Sequence, residues 1–361
     1  MNRPWAPWAL AGLALVLVLA ACVPGKTKPA TGWSGPGVSE DMVFVGTMEG
    51  RVLALEAKSD ARARSWVFPP AGEKDLVAIY STPLVAQGRL YFGDFSGKVF
   101  ALDAASGGKV WEFPAGAPVF ASVAHADGIV IAATAQGKVF ALAADTGEPR
   151  WTFDKPTAGV WGTPAVSDGK VFVPSLDHNL YALELSSGRL LWTFQAAGAL
   201  AADPLVADGV VYQGSFAQRL YAISTRDGKA LWESVGDGWF WARPVIAGGT
   251  LYAATLGSRL YAVDAATGVQ KWSFNTRAPV RATPALVGDT VVLANEKGAV
   301  FGVNRPTGVE KWTTTTGSGV VAPLSSRDNT VYVSALDRTI YGLDARNGQK
   351  LWSWNTSVSE K

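Results

Sequence analysis

The chain has 361 residues, of which 48% are hydrophobic and only 17% charged. That apolar share excludes a disordered chain, and a formal net charge of +2 argues against a nucleic-acid partner gripped through many phosphates. One Cys and two His exclude a disulfide framework and a zinc site built from those residues.

The first element in chain order is an apolar run from Ala9 to Ala21, with Arg3 as the only charge before Lys26. As a helix the run would reach about 20 Å, short of the roughly 30 Å hydrocarbon core. Residues 1–21 therefore read as a signal peptide rather than a membrane span. The run ends in Leu19-Ala20-Ala21-Cys22, which resembles a bacterial lipobox, cleaved before a cysteine that then carries lipid. The resemblance implies export and membrane attachment through lipidated Cys22. Val23 stands where the familiar inner-membrane retention signal has Asp. In a two-membrane bacterium that implies the periplasmic face of the outer membrane; with one membrane, the extracellular face. Residues 22–32 then form the lipidated N-terminus and a tether of at most about 35 Å.

From residue 33 the chain repeats. Trp recurs at 66, 111, 151, 192, 232, 272, 312 and 352, spaced by 45, 40, 41, 40, 40, 40 and 40 residues. Each unit holds four short runs rich in Val, Tyr, Phe and Leu, divided by turns such as Asp168-Gly169, Asp208-Gly209 and Asp227-Gly228. Such runs are strands in hairpins. An insertion from Lys58 to Ser65 in the first copy is expected to account for the spacing of 45. Eight four-stranded units over residues 33–354, followed by a tail at 355–361, predict an all-β, eight-bladed β-propeller with four antiparallel strands per blade. The end copies resemble the middle ones, whereas an open stack would need polar caps. Each Trp lies on the fourth, outermost strand, where it is expected to wedge neighbouring blades. The eight Trp are expected to be buried as wedges, and Trp192→Ala is expected to cost about 3–5 kcal/mol.

The units Ala101-Leu102-Asp103-Ala104-Ala105-Ser106-Gly107…Trp111 and Ala262-Val263-Asp264-Ala265-Ala266-Thr267-Gly268…Trp272 resemble the pyrroloquinoline-quinone (PQQ) propeller repeat. The resemblance covers all eight copies; Ala143, Ser224, Asn304 and Asn347 depart from it locally. The family has a dehydrogenase branch, which holds the quinone and calcium, and a non-enzymatic branch of BamB-type outer-membrane assembly lipoproteins. The enzyme branch is marked by adjacent cysteines, and this chain has only Cys22. Central carboxylate pairs for calcium are not evident, and the long insertions of those enzymes are missing. The resemblance therefore implies no cofactor, no metal site and no catalysis.

Function is expected where the chain crosses between blades, near the axis. The position three before each first-strand Pro, or its equivalent, holds Trp33, Tyr80, Phe120, Trp161, Ala201, Trp241, Arg281 and Val320. The position one before holds Gly35, Thr82, Ser122, Thr163, Asp203, Arg243, Thr283 and Ala322. Two readings apply to the aromatics: packing at blade junctions, or a platform for a partner. In Gly236-Asp237-Gly238-Trp239-Phe240-Trp241, strand alternation cannot bury all three rings on one face. Arg281 is placed for a cation–π contact with Trp241, and Asp203 with Arg243 for an ion pair between blades. Trp161, Asp203, Trp239, Phe240, Trp241, Arg243 and Arg281 are thus the candidate partner- or ligand-binding residues. His125 replaces a Val-like residue and reads as hydrogen-bonded in place; His178 reads as an exposed turn residue. The leading expectation is a lipid-anchored scaffold that docks an envelope protein, of which the barrel-assembly machinery is the family's example. The alternatives are a binding module for a small ligand or peptide in the axial funnel, and a PQQ-dependent dehydrogenase-like protein.

Overall fold

The computed structural model describes residues 34–39, 41–57 and 64–357. The segments expected as signal peptide and tether, with Cys22, Trp33 and the last four residues, lie outside the described residues. Among the described residues no helix is long and apolar enough to cross a membrane.

Among the described residues thirty-two strands form eight sheets, and each sheet is built from four strands consecutive in the chain. The fold is an all-β, eight-bladed propeller of four-stranded antiparallel sheets. In blade 1 the strands are Gly37–Ser39, Met42–Gly46, Val52–Glu56 and Arg64–Phe68. Blade 8 ends with Lys350–Asn355, and the next residue, Thr356, is buried and donates its N–H to the Arg338 carbonyl. The three-residue first strands are innermost. That of blade 1 touches its counterparts in blades 2 and 8, which closes the ring.

Local chemistry sets the hairpins. Asp168 and Gly169 have φ of 49° and 67°, the paired left-handed geometry of a tight two-residue turn. Between the third and fourth strands every blade has one register shift, for example at Ala182/Leu183 opposite Leu190 and Trp192. A bulge of this kind bends and twists the outer strand, and it leaves Trp192 paired with Ala182.

No single core exists. Buried side chains form eight clusters among the described residues, one at each junction between blades. The Trp ring of one blade lies against the next. Seven indole N–H groups in succession, from Trp66 to Trp312, donate to a carbonyl of the following blade at 2.7–3.2 Å. The face of each of these indoles meets the turn glycine of that blade. At Gly228, φ is +72° and an added Cβ would lie 2.7 Å from the Trp192 ring. The glycine of the repeat thus serves the Trp of the preceding blade, not the one four residues downstream. Only Trp111 and Trp312, at 7% and 9% exposure, are buried; Trp192 is half-buried. Full burial of every wedge was too strong an expectation.

Two register expectations are corrected. The extra residues between Trp66 and Trp111 follow Trp66, since Phe68 to Ile79 spans 11 positions and the matching step from Phe113 to Val119 spans 6. They lie in the loop at 69–78, not in 58–65, of which residues 58–63 are outside the described residues. In blade 8, Ser325 opens the first strand, so Leu324 takes the place that Pro holds in most other blades. The axial position is then Val321; Val320 is buried, and Pro323 replaces Ala322 in the second series.

Candidate functional site

On one face of the ring, the loops between second and third strands alternate with the loops that carry the chain from one blade's outer edge to the next blade's axis. Two backbone bonds fix each crossing loop. Phe240 N–H donates to the Ser215 carbonyl at 3.2 Å, and Leu256 N–H donates to the Trp239 carbonyl at 2.9 Å. The same pair recurs at every junction from blade 1–2, with Ile79 to Thr47 and Phe95 to Ala78, to blade 7–8, with Val320 to Asn295 and Leu336 to Gly319. This pinning decides which side chains the loop shows. The middle residue points between the blades, and its two neighbours point to the face.

Phe240 is that middle residue and is 2% exposed. Its ring takes space elsewhere held by smaller side chains, and two glycines make room: an added Cβ at Gly236 would lie 2.7 Å from the ring and one at Gly214 would lie 2.5 Å from the Phe240 Cβ. Phe240 is a wedge and is removed from the accessible surface. Trp239 and Trp241 are half-buried and sandwich Phe216 from the neighbouring loop, at centroid distances of 4.4 and 5.3 Å with nearly parallel planes. Arg281 lies over Trp241 at 4.7 Å and is ion-paired with Glu296. The stack thus runs Trp239, Phe216, Trp241, Arg281, Glu296. From Trp241 the rings continue to Trp161 at 6.3 Å, Phe120 at 5.8 Å and Tyr80 at 5.6 Å, and Phe95 packs against both Tyr80 and Phe120. The result is one aromatic arc over blades 2 to 6.

The charges sit differently from the sequence expectation. Asp203 and Arg243 form no ion pair among the described residues. Asp203 Oδ1 instead accepts the Thr163 N–H at 2.7 Å, the same bond that Ser122 Oγ makes with the Thr82 N–H. Desolvation pushes the Asp203 carboxyl above the usual range, against the Thr163 bonds and the Arg243 charge, which favour the ionised form. Arg243 is exposed.

Sequence reasoning missed Phe95, Phe216 and Glu296. All three occupy the second position of a loop between second and third strands, a place otherwise held by Met48, Ala135, Leu176, Leu256 and Leu336. Reading that position in phase with the crossing loops would have found them. His178 is exposed in its turn. His125 differs from expectation: its ring stacks on Tyr91 at 5.8 Å, and its buried Nε2 has no hydrogen-bond partner among the described residues. Burial holds its pKa below the usual value, against the opposing charge of Asp127. Among the described residues no three His, Cys, Asp or Glu side chains gather into a metal-holding group.

Three solved structures share the fold. The computationally designed Ika8 protein matches with a TM-score of 0.77 at 15% identity, covering 86% of this chain and 95% of that one. BamB from Moraxella catarrhalis matches at 0.72 and 20%, covering 83% and 93%. A europium-containing methanol dehydrogenase matches at 0.69 and 14%, covering 88% and 84%. Identities this low establish architecture alone. No curated protein matches the chain by sequence. The family model described as outer membrane protein assembly factor BamB matches residues 63–160, 155–239 and 279–361, most of the ring. By that match this protein is a member of the BamB family of outer membrane protein assembly factors.

Proposed function

We propose that this protein is a lipid-anchored scaffold of the bacterial envelope, attached through Cys22, that docks a periplasmic protein partner of the outer-membrane barrel-assembly machinery on the face bearing the aromatic arc. The chain is a non-catalytic propeller of the BamB type. The observation that carries the docking reading is the arc itself. A run of half-buried aromatic rings ends at Arg281, with exposed Arg243 two positions after Trp241, and aromatic and Arg side chains dominate interface hot spots. Much of the stack is satisfied internally, so it offers a rigid, pre-formed edge rather than open ring faces, which lowers the ordering cost of binding. A propeller also protects its strand edges from unwanted pairing.

Photo-crosslinking in cells tests this. A crosslinker at Arg243 is expected to capture an outer-membrane assembly component, and one at Asp227, in a turn between third and fourth strands on the opposite face, is not. Capture from Asp227 alone would overturn the assignment of the face. Cys22→Ala, with the signal peptide kept, is expected to move the protein from the membrane to the soluble fraction; retention at the membrane would overturn the anchor.

A further inference from the structure

The face opposite the aromatic arc is rimmed by the turns between third and fourth strands and by the first residues of each fourth strand. That rim is uneven. Four successive blades each put an exposed aliphatic side chain on it: Leu231, Val269, Val309 and Leu351, at 56, 64, 62 and 48% exposure. In blades 3 and 4 the matching positions hold Glu148 with Arg150 and Arg189 with half-buried Leu191, and in blade 2 they hold Gly108 with the less exposed Val110. The backbone holds the four side chains out. Leu231 and Leu351 are the unpaired residues of their bulges, skipped between Ala230 and Trp232 and between Lys350 and Trp352, and a bulge re-aims its side chain. The carbonyls of Val269 and Val309 accept the Asp264 and Asn304 N–H groups at 2.8 Å, which closes each turn and leaves the valine in solvent.

Each of these blades adds a lysine within two residues of its aliphatic: Lys229, Lys271, Lys311 and Lys350. Carboxylates cancel them only in part. Arg226 and Lys229 share Asp227, at 3.8 and 3.7 Å. Lys350 lies over the Tyr341 ring at 5.2 Å; neither it nor Arg305, in the turn of blade 7, has a carboxylate partner among the described residues. Lys271 and Lys311 pair with Asp264 and Asp289, but exposed pairs of this kind are weak and open readily to a denser negative charge. In blade 3 the same stretch holds Asp145 and Glu148 against Arg150. The composition separates two kinds of partner. Protein interfaces are depleted of Lys at their cores and bind through aromatic rings and Arg, whereas this rim offers Val, Leu and Lys with no exposed aromatic ring among the described residues. Aliphatic tips among lysines match the boundary between anionic headgroups and acyl chains, where the lysine stems reach up to phosphate. We propose that the rim of blades 5 to 8 rests on a phospholipid surface containing anionic lipid, with Leu231, Val269, Val309 and Leu351 at the headgroup boundary and the cations on phosphates. The proposal rests on the reading of this protein as one held at an envelope membrane, and it gives that protein an orientation: the face bearing the arc is turned away from the bilayer, toward its partner.

Photo-crosslinking of the full chain in cells whose phospholipids carry radiolabelled phosphate tests this. A crosslinker at Val309 is expected to capture at least about threefold more labelled lipid than one at exposed Gln136, in a loop of the arc face. Lys271→Glu with Lys311→Glu is expected to lower capture at Val309 by about tenfold, since each lysine near an anionic surface adds to binding. Equal capture at the two positions, or more at Gln136, overturns the proposal. So does capture at Val309 of a protein or of a second copy in place of lipid, and so does capture that the double charge reversal leaves unchanged. The anchor fails or stands separately. If Cys22→Ala releases the protein while Val309 and Gln136 capture lipid equally, the anchor stands and the rim is overturned. If Cys22→Ala releases nothing while Val309 captures lipid in preference, the anchor falls and the rim stands.

Discussion

At Gly228 a methyl group would meet the Trp192 ring, whereas at Gly169 an added Cβ meets nothing within 4 Å although φ is also positive. The two positions separate backbone strain from the interlock between blades. Gly169→Ala is expected to cost about 1–2 kcal/mol from the left-handed conformation alone. Gly228→Ala is expected to cost clearly more, because the indole cannot withdraw from its carbonyl bond to Thr225. Urea titration of both variants measures the difference. Trp312→Ala is expected to lose about 3–5 kcal/mol and half-buried Trp192→Ala less, by the same measurement. Asp203 carries a pH signature. Its folded pKa is raised by desolvation above the unfolded value near 4. The folded state therefore binds more protons in that window, and stability contributed by the protonated form is lost as pH rises through the folded pKa. Asp203→Asn is expected to be more stable than the parent at pH 7, with the advantage vanishing below pH of about 4, in thermal melts across that range.

Strands and their order were legible because the chemistry that makes them is local. Asp-Gly turns, alternating Val, Tyr and Phe, and the Trp period all act within one 40-residue unit. The site was only half legible, because it is made by elements from different units meeting in space. Trp239, Trp241, Trp161 and Arg281 could be aligned along the crossing loops, but Phe216 enters from a different loop and is the ring that holds two of them together. The burial of Phe240 depends on Gly214, 26 positions away. A carboxylate one blade from an Arg reads as an ion pair in sequence, whereas a nearby amide, Thr163 N–H, takes Asp203 in the structure. Phe216→Ala is accordingly expected to loosen both Trp239 and Trp241 and to red-shift Trp fluorescence, while changing stability less than Trp312→Ala does.

Across the ring, a loop crosses seven junctions, and among the described residues the eighth, between blades 8 and 1, closes through side chains. That closure uses the cluster of Val43, Val45, Leu53, Leu55, Ala57, Tyr332 and Ile340, the Ser325 hydroxyl bonded to the Pro36 carbonyl, and the exposed Arg338–Glu49 pair at 2.7 Å. A surface pair of that kind contributes at most about 1 kcal/mol, so packing does most of the closing. A circular permutant that joins the present ends and opens the loop between blades 4 and 5 is expected to fold to the same ring, judged by circular dichroism and by melting within a few degrees of the parent. Blades made of unbroken stretches also impose a timetable on birth. As the polypeptide grows from its amino end, each sheet can assemble once its own forty or so residues have emerged. Blade 1 nevertheless has one bare oily flank until the last blade arrives, so the oldest part of the newborn molecule is also the one that must be chaperoned longest.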